Sequence, residues 1–121
     1  MQKISLFASF FICLCILSCA KDKAEPFVSN CVEPVTYVDD IAIIIDNYCA
    51  YSGCHNGSGA APGNYGFYSG LETTFNNNDE FVNRVISLKD MPPGNASGPT
   101  ELTQEEFDKI LCWIEEGYPE N

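Results

Sequence analysis

Ile41, Ile44, Ile45 and Tyr48 recur at helical spacing and give residues 37–48 an apolar face, which predicts a first helix there. The β-branched run Ile43-Ile44-Ile45 also suits a strand, so periodicity alone leaves both readings open. The C-terminal pattern is clearer. Thr103-Gln104-Glu105-Glu106 reads as a capping box, in which the Thr103 side chain takes the amide of Glu106 and Glu106 reaches back. Phe107, Ile110, Leu111 and Ile114 continue it as an apolar stripe, and Gly117 ends the helix. This last helix is expected to pack on the first. Between them the pattern predicts a short helix over 69–75 and another over 79–87 that buries Phe81, Val82, Val85 and Ile86. Glycine and asparagine crowd residues 56–64 into an irregular loop, and no internal repeat is visible.

The N-terminus follows a different logic. Lys3 precedes an apolar run from Ile4 to Leu17, a length that suits a signal peptide and is short for a membrane span. Ile16-Leu17-Ser18-Cys19 resembles the lipobox of bacterial lipoproteins, in which the cysteine is acylated and becomes the first residue. The expected organisation is a leader over 1–18, a lipid-anchored linker over 19–35 and one domain over 36–121, with Cys19 as the lipidation site. A plain signal peptide with a coincidental cysteine is the alternative. The lipoprotein reading places the domain on the periplasmic or cell-surface face of a bacterial membrane.

Charge narrows the partners. Seventeen acidic residues against six basic give a formal net charge of −11, and loss of Lys3 with the leader would make the chain more acidic. Such a surface repels nucleic acid and favours a protein partner with a basic docking surface, although solubility alone is also a sufficient reason for it.

The chemistry concentrates in Cys49-Ala50-Tyr51-Ser52-Gly53-Cys54-His55. Two cysteines lie close together, and the single histidine of the chain follows the second directly. That order is what covalent haem attachment needs, with each thiol adding to one porphyrin vinyl group and the imidazole ligating iron. Met91 is the only methionine besides Met1 and sits in Met91-Pro92-Pro93. Proline restricts the residue before it, so this loop holds its thioether in a stiff frame. The same cysteines also admit a small Cys49–Cys54 disulfide loop, or a zinc site that includes His55, but neither gives Met91 a role. Tyr65, Phe67 and Tyr68 are expected to pack in the core or line a porphyrin, Trp113 to lie at the haem edge or on a partner surface, and Arg84 or Lys89 to face a haem propionate.

With CAYSGCH at 49–55, MPP at 91–93 and a closing helix carrying Trp113-Ile114, the chain resembles the class I mono-haem cytochromes c. It is closer still to the small haem-carrying lipoproteins of Gram-negative bacteria, over about residues 36 to 118. The usual motif has two residues between the cysteines and this one has four, so the extra pair must bulge outward. The resemblance implies an all-α, cytochrome c-like, loop-rich fold of three to four short helices around one covalent haem c. It implies attachment at Cys49 and Cys54, with His55 as proximal and Met91 as distal iron ligand. The implied function is one-electron transfer with redox protein partners, not enzymatic turnover. A ligand sensor, or a haem-free lipoprotein stapled by disulfides, is the alternative. Of the seven cysteines, this scheme leaves Cys31 and Cys112, which an oxidising compartment would pair; two separate buried thiols are the other possibility.

Overall fold

A computed structural model of the chain describes residues 31–58, 61–77 and 80–121. The leader, Cys19 and most of the linker lie outside the described residues, as does Asp79, the expected start of the third helix. The described residues are helix-rich and carry no strand, in keeping with an all-α fold. None of their helices is long and apolar enough to cross a membrane.

The first helix opens as a π-helical turn, Tyr37–Ile41, and continues as α1, Ala42–Tyr48. Thr36 caps it by accepting from the Asp39 amide, and its carbonyl takes the Asp40 amide at 3.1 Å and the Ile41 amide at 3.2 Å. That sharing widens the first turn. Ile41, Ile44 and Ile45 are buried as the periodicity predicts, while Ile43 points to solvent, which settles the strand alternative.

Helix α2 spans Tyr68–Asn77, longer at both ends than expected, and buries Leu71. A π-helical segment, Val82–Ser87, follows, with the Leu88 amide reaching back to the Asn83 carbonyl at 2.9 Å. This wider winding still brings Phe81, Val85 and Ile86 into the core, as predicted, with Val82 only partly buried.

Helix α3, Gln104–Glu115, carries both halves of the capping box. It ends in a Schellman motif: the Gly117 amide bonds the Ile114 carbonyl, and the Tyr118 amide bonds the Trp113 carbonyl, with Gly117 at φ +82°. Phe107, Ile110 and Leu111 face inward. Cys31 and Cys112 lie at disulfide distance, S–S 2.16 Å, and pin the segment before the first helix to α3. Lys109 pairs with Asp40 at 3.2 Å, and the Tyr48 hydroxyl donates to Glu106 at 3.0 Å, so α3 docks on the first helix along its length.

Trp113 corrects the expectation of a partner-surface position. It is fully buried, donates Nε1–H to the Pro119 carbonyl at 2.9 Å, and packs edge-on against Phe75. Tyr118 stacks on Phe75 at 4.8 Å and meets Trp113 edge-on at 6.2 Å, so the three rings form one cluster. The indole therefore anchors the C-terminal tail; it neither faces solvent nor lines the cleft described below. The reason is the Schellman turn, which folds the tail back over the last helical turn.

Candidate functional site

The attachment segment is shaped by backbone bonds. The Cys49 and Ala50 amides both reach back to the Ile45 carbonyl at 2.8 Å and close the first helix. A β-turn then runs from Tyr51 to Cys54, with the Cys54 amide 3.0 Å from the Tyr51 carbonyl and Gly53 at φ +88°. A left-handed residue at the third position of such a turn requires glycine or asparagine, which explains Gly53. Ser52 and Gly53 at its tip are exposed, so the longer spacer is taken up by an outward turn. The His55 amide bonds the Cys49 carbonyl at 2.9 Å and shuts the loop.

His55 is then fixed from two directions. Its Nδ1 lies 2.5 Å from the carbonyl oxygen of Pro62, and its ring stacks on Tyr65 at 4.3 Å with 7° between planes. A bridge between Asn56 and Asn64, and the Tyr65 amide bonded to the His55 carbonyl at 2.7 Å, tie the base of the loop that carries Pro62. A carbonyl only accepts, so Nδ1 is the nitrogen that donates, and in the neutral tautomer this leaves the lone pair on Nε2.

An open, mainly apolar cleft of about 240 Å³ has Cys49, His55 and Met91 on its walls, together with Pro62, Tyr65 and Phe81. Segments far apart in sequence thus meet at one surface. Cys54 is not on that lining; it stands at the far end of the turn, beside Tyr51. Both thiols are free and partly buried. Burial, with a smaller contribution from Cys54, pushes the Cys49 thiol up to about 12, so it stays protonated at neutral pH. Met91 is partly buried, and the peptide bond between it and Pro92 is cis.

Of the aromatic candidates, Tyr65 lines the cleft, Tyr68 packs edge-on against Tyr37, and Phe67 is exposed. Arg84 stands at the cleft held by Asp90 at 2.7 Å and Glu80 at 3.5 Å. Lys89 lies 4.4 Å over the Phe107 ring and faces a separate cavity on the other side of Met91. Among the described residues no group of three or more histidine, cysteine or acidic side chains is gathered as a metal cluster.

The sequence missed Pro62 and the cleft role of Phe81. Pro62 acts through a backbone carbonyl, which has no side-chain signature, and Phe81 reads simply as core. The groups gathered at the cleft suit covalent haem: the Cys49 thiol, an imidazole, a thioether and apolar walls, with the Cys54 thiol beyond the lining at the end of the adjoining turn. No known family, no characterised protein and no solved structure matches the chain.

Proposed function

We propose that this chain is a one-electron carrier with a cytochrome c-like fold and a single covalent haem c. Cys49 and Cys54 would hold the porphyrin by thioether bonds, His55 would bind the iron on the proximal side and Met91 on the distal side. When bound, such a group supplies a metal centre that gains and loses one electron without bond breaking in a substrate. The protein's own part is to orient His55 through Pro62, to exclude water with the apolar walls, and to offer a thioether. Thioether ligation favours the ferrous state relative to a second imidazole.

The observation that carries this reading is the meeting of Cys49, His55 and Met91 on one apolar cleft, with the His55 proton committed to Pro62. The acidic surface favours a redox partner with a basic docking face. The Cys31–Cys112 pair suits an oxidising compartment, in keeping with a lipid-anchored protein held at Cys19 on the periplasmic or cell-surface side.

The test is expression in a host that matures c-type cytochromes, followed by a haem stain on a denaturing gel and absorption spectra. Colour that survives denaturation, with a low-spin spectrum and a methionine–iron charge-transfer band lost in Met91→Ala, is the expected result. A colourless protein with Cys49 bonded to Cys54 would replace the carrier with a disulfide-stapled lipoprotein. A high-spin spectrum that changes on adding a ligand to the ferrous form would make it a sensor.

A further inference from the structure

Tyr51 sits inside the attachment motif, at the first position of the turn that takes up its extra length. Its phenol end runs under the backbone of Gly98. A Cβ placed on Gly98 would lie 2.7 Å from Tyr51 Cζ, closer than real Cβ atoms come, and 3.0 Å from Cε1 and Cε2, which is also tight. Gly98 belongs to the same loop as Met91, between the Val82–Ser87 segment and α3. The loop that holds both cysteines and the loop that holds the methionine are therefore joined through one ring pressed against one glycine.

The Tyr51 hydroxyl oxygen is also buried, and among the described residues no group meets it in good hydrogen-bond geometry, although the Cys54 side chain and the Gly98 backbone stand close to it. A buried hydroxyl without a well-aligned partner is costly, so its presence calls for a reason. The neighbouring polar groups are the Cys54 thiol and the Gly98 backbone. A thiol can donate or accept, whereas a thioether sulfur only accepts. Attachment at Cys54 would thus give the hydroxyl an obligatory acceptor at its side.

We propose that Tyr51 is a positioning residue: its ring clamps the attachment loop to the Met91 loop, and its hydroxyl is kept for the sulfur of Cys54 once that sulfur is bonded to haem. The inference rests on the covalent-haem reading. It gives the four-residue spacer a purpose, since the longer turn is what lets an aromatic ring reach the distal loop. With the clamp removed, Met91 keeps its chemistry but loses its fixed place, and an external ligand competes for the iron more easily.

The experiment is an imidazole titration of the ferric, haem-loaded protein, read at the methionine–iron charge-transfer band, with a reduction potential for each variant. In Tyr51→Ala half-displacement of Met91 is expected at about tenfold lower imidazole than in the wild type. Tyr51→Phe keeps the ring, so its titration stays near the wild type, while its potential falls because the ferric state no longer faces a donor on the Cys54 sulfur. Gly98→Ala, which drives a methyl group against the Tyr51 ring while leaving residue 51 itself unchanged, shifts the titration in the same direction as Tyr51→Ala and serves if that variant does not fold. Wild-type titration in both Tyr51→Ala and Gly98→Ala overturns the clamp, and an unchanged potential in Tyr51→Phe overturns the role of the hydroxyl. A wild-type protein without covalent haem sinks the underlying reading instead, so the two failures are told apart by the first spectrum.

Discussion

The Nδ1 of His55 lies 2.5 Å from the carbonyl oxygen of Pro62 and can only donate to it. The partner is main chain, so the side chain at position 62 matters less than the path of the backbone there. Loss of an orienting partner behind a ligating histidine typically costs ~10–100-fold in metal affinity. Pro62→Ala keeps that carbonyl, and the haem-loaded variant is expected to retain a low-spin spectrum. His55→Ala is expected to lose it. Equal damage in the two variants would show that the pyrrolidine ring, and not the carbonyl, places His55.

Glu106 links helix start to helix end. Its carboxylate takes the Thr103 amide and hydroxyl, both at 2.8 Å, and the Tyr48 hydroxyl at 3.0 Å. Burial alone would raise this carboxyl, but the bonds donated by Thr103 and Tyr48 outweigh it and hold it below its ordinary 4.5. A carboxyl depressed by folding stabilises the protein fully above the ordinary value, and that contribution is lost as pH falls through the lower folded value. Acid denaturation of Glu106→Gln should therefore be shallower below about pH 4.5 than that of the wild type. Thr103→Ala should cost about 1 kcal/mol at neutral pH in urea unfolding. Parallel acid profiles for Glu106→Gln and the wild type would remove Glu106 from the account.

Much of this was legible in the sequence, for reasons that can be given position by position. Ile41, Ile44 and Ile45 repeat at the helical period, and the Thr103–Glu106 box is a local code that needs no tertiary information. The π-helical winding of Val82–Ser87 was not legible, because inward residues at 81, 85 and 86 suit either an i→i+4 or an i→i+5 helix. The burial of Trp113, which removes the partner-surface alternative, was not legible either, since nothing local says that Pro119 will return to cover it. The site divides in the same way. Cys49, His55 and Met91 announce their chemistry by type, whereas the Pro62 carbonyl and the contact of Tyr51 with Gly98 exist only after the loops have folded.

Gly70 carries a signal that the sequence offered and periodicity could not use. It lies inside α2, where glycine costs about 1 kcal/mol relative to alanine. A Cβ there would come 1.6 Å from the carbonyl oxygen of Asn64, a backbone atom that cannot rotate away. Gly70→Ala should therefore destabilise in spite of its better helix propensity, by about 1–3 kcal/mol as overpacked sites do. Thermal unfolding checks the sign, and a stabilised variant would contradict the close approach of α2 to the loop carrying Pro62.

The bridge between Cys31 and Cys112 spans 81 positions in sequence. Closing a loop of that length removes enough unfolded-state entropy to be worth about 4 kcal/mol in the chain-entropy model. Cys112 is buried and Cys31 is exposed, so Cys31→Ser is the cleaner variant: it opens the bridge and leaves a small apolar thiol inside. Its urea midpoint should fall to that of the wild type under reducing conditions, and a reductant should have little further effect on it. An unchanged midpoint would mean that α3 docks through Phe107, Ile110 and Leu111 alone.

Cys49 makes the last prediction, in the haem-free domain. Its thiol is raised from 9.0 to about 12 in the fold, chiefly by burial and then by Cys54. The thiolate is the species that reacts with alkylating agents, so at pH 9 the folded chain should label Cys49 on the order of a hundredfold or more slowly than the chain in urea. A raised acid constant in the folded state also means that the stabilisation it reports is complete below pH 9 and is lost as pH rises from 9 towards 12. Cys49→Ala should remove that alkaline decline. Mass spectrometry of the labelled peptides separates Cys49 from Cys54, and equal labelling of Cys49 at pH 9 in the folded and unfolded chains would place its sulfur in water and outside the cleft.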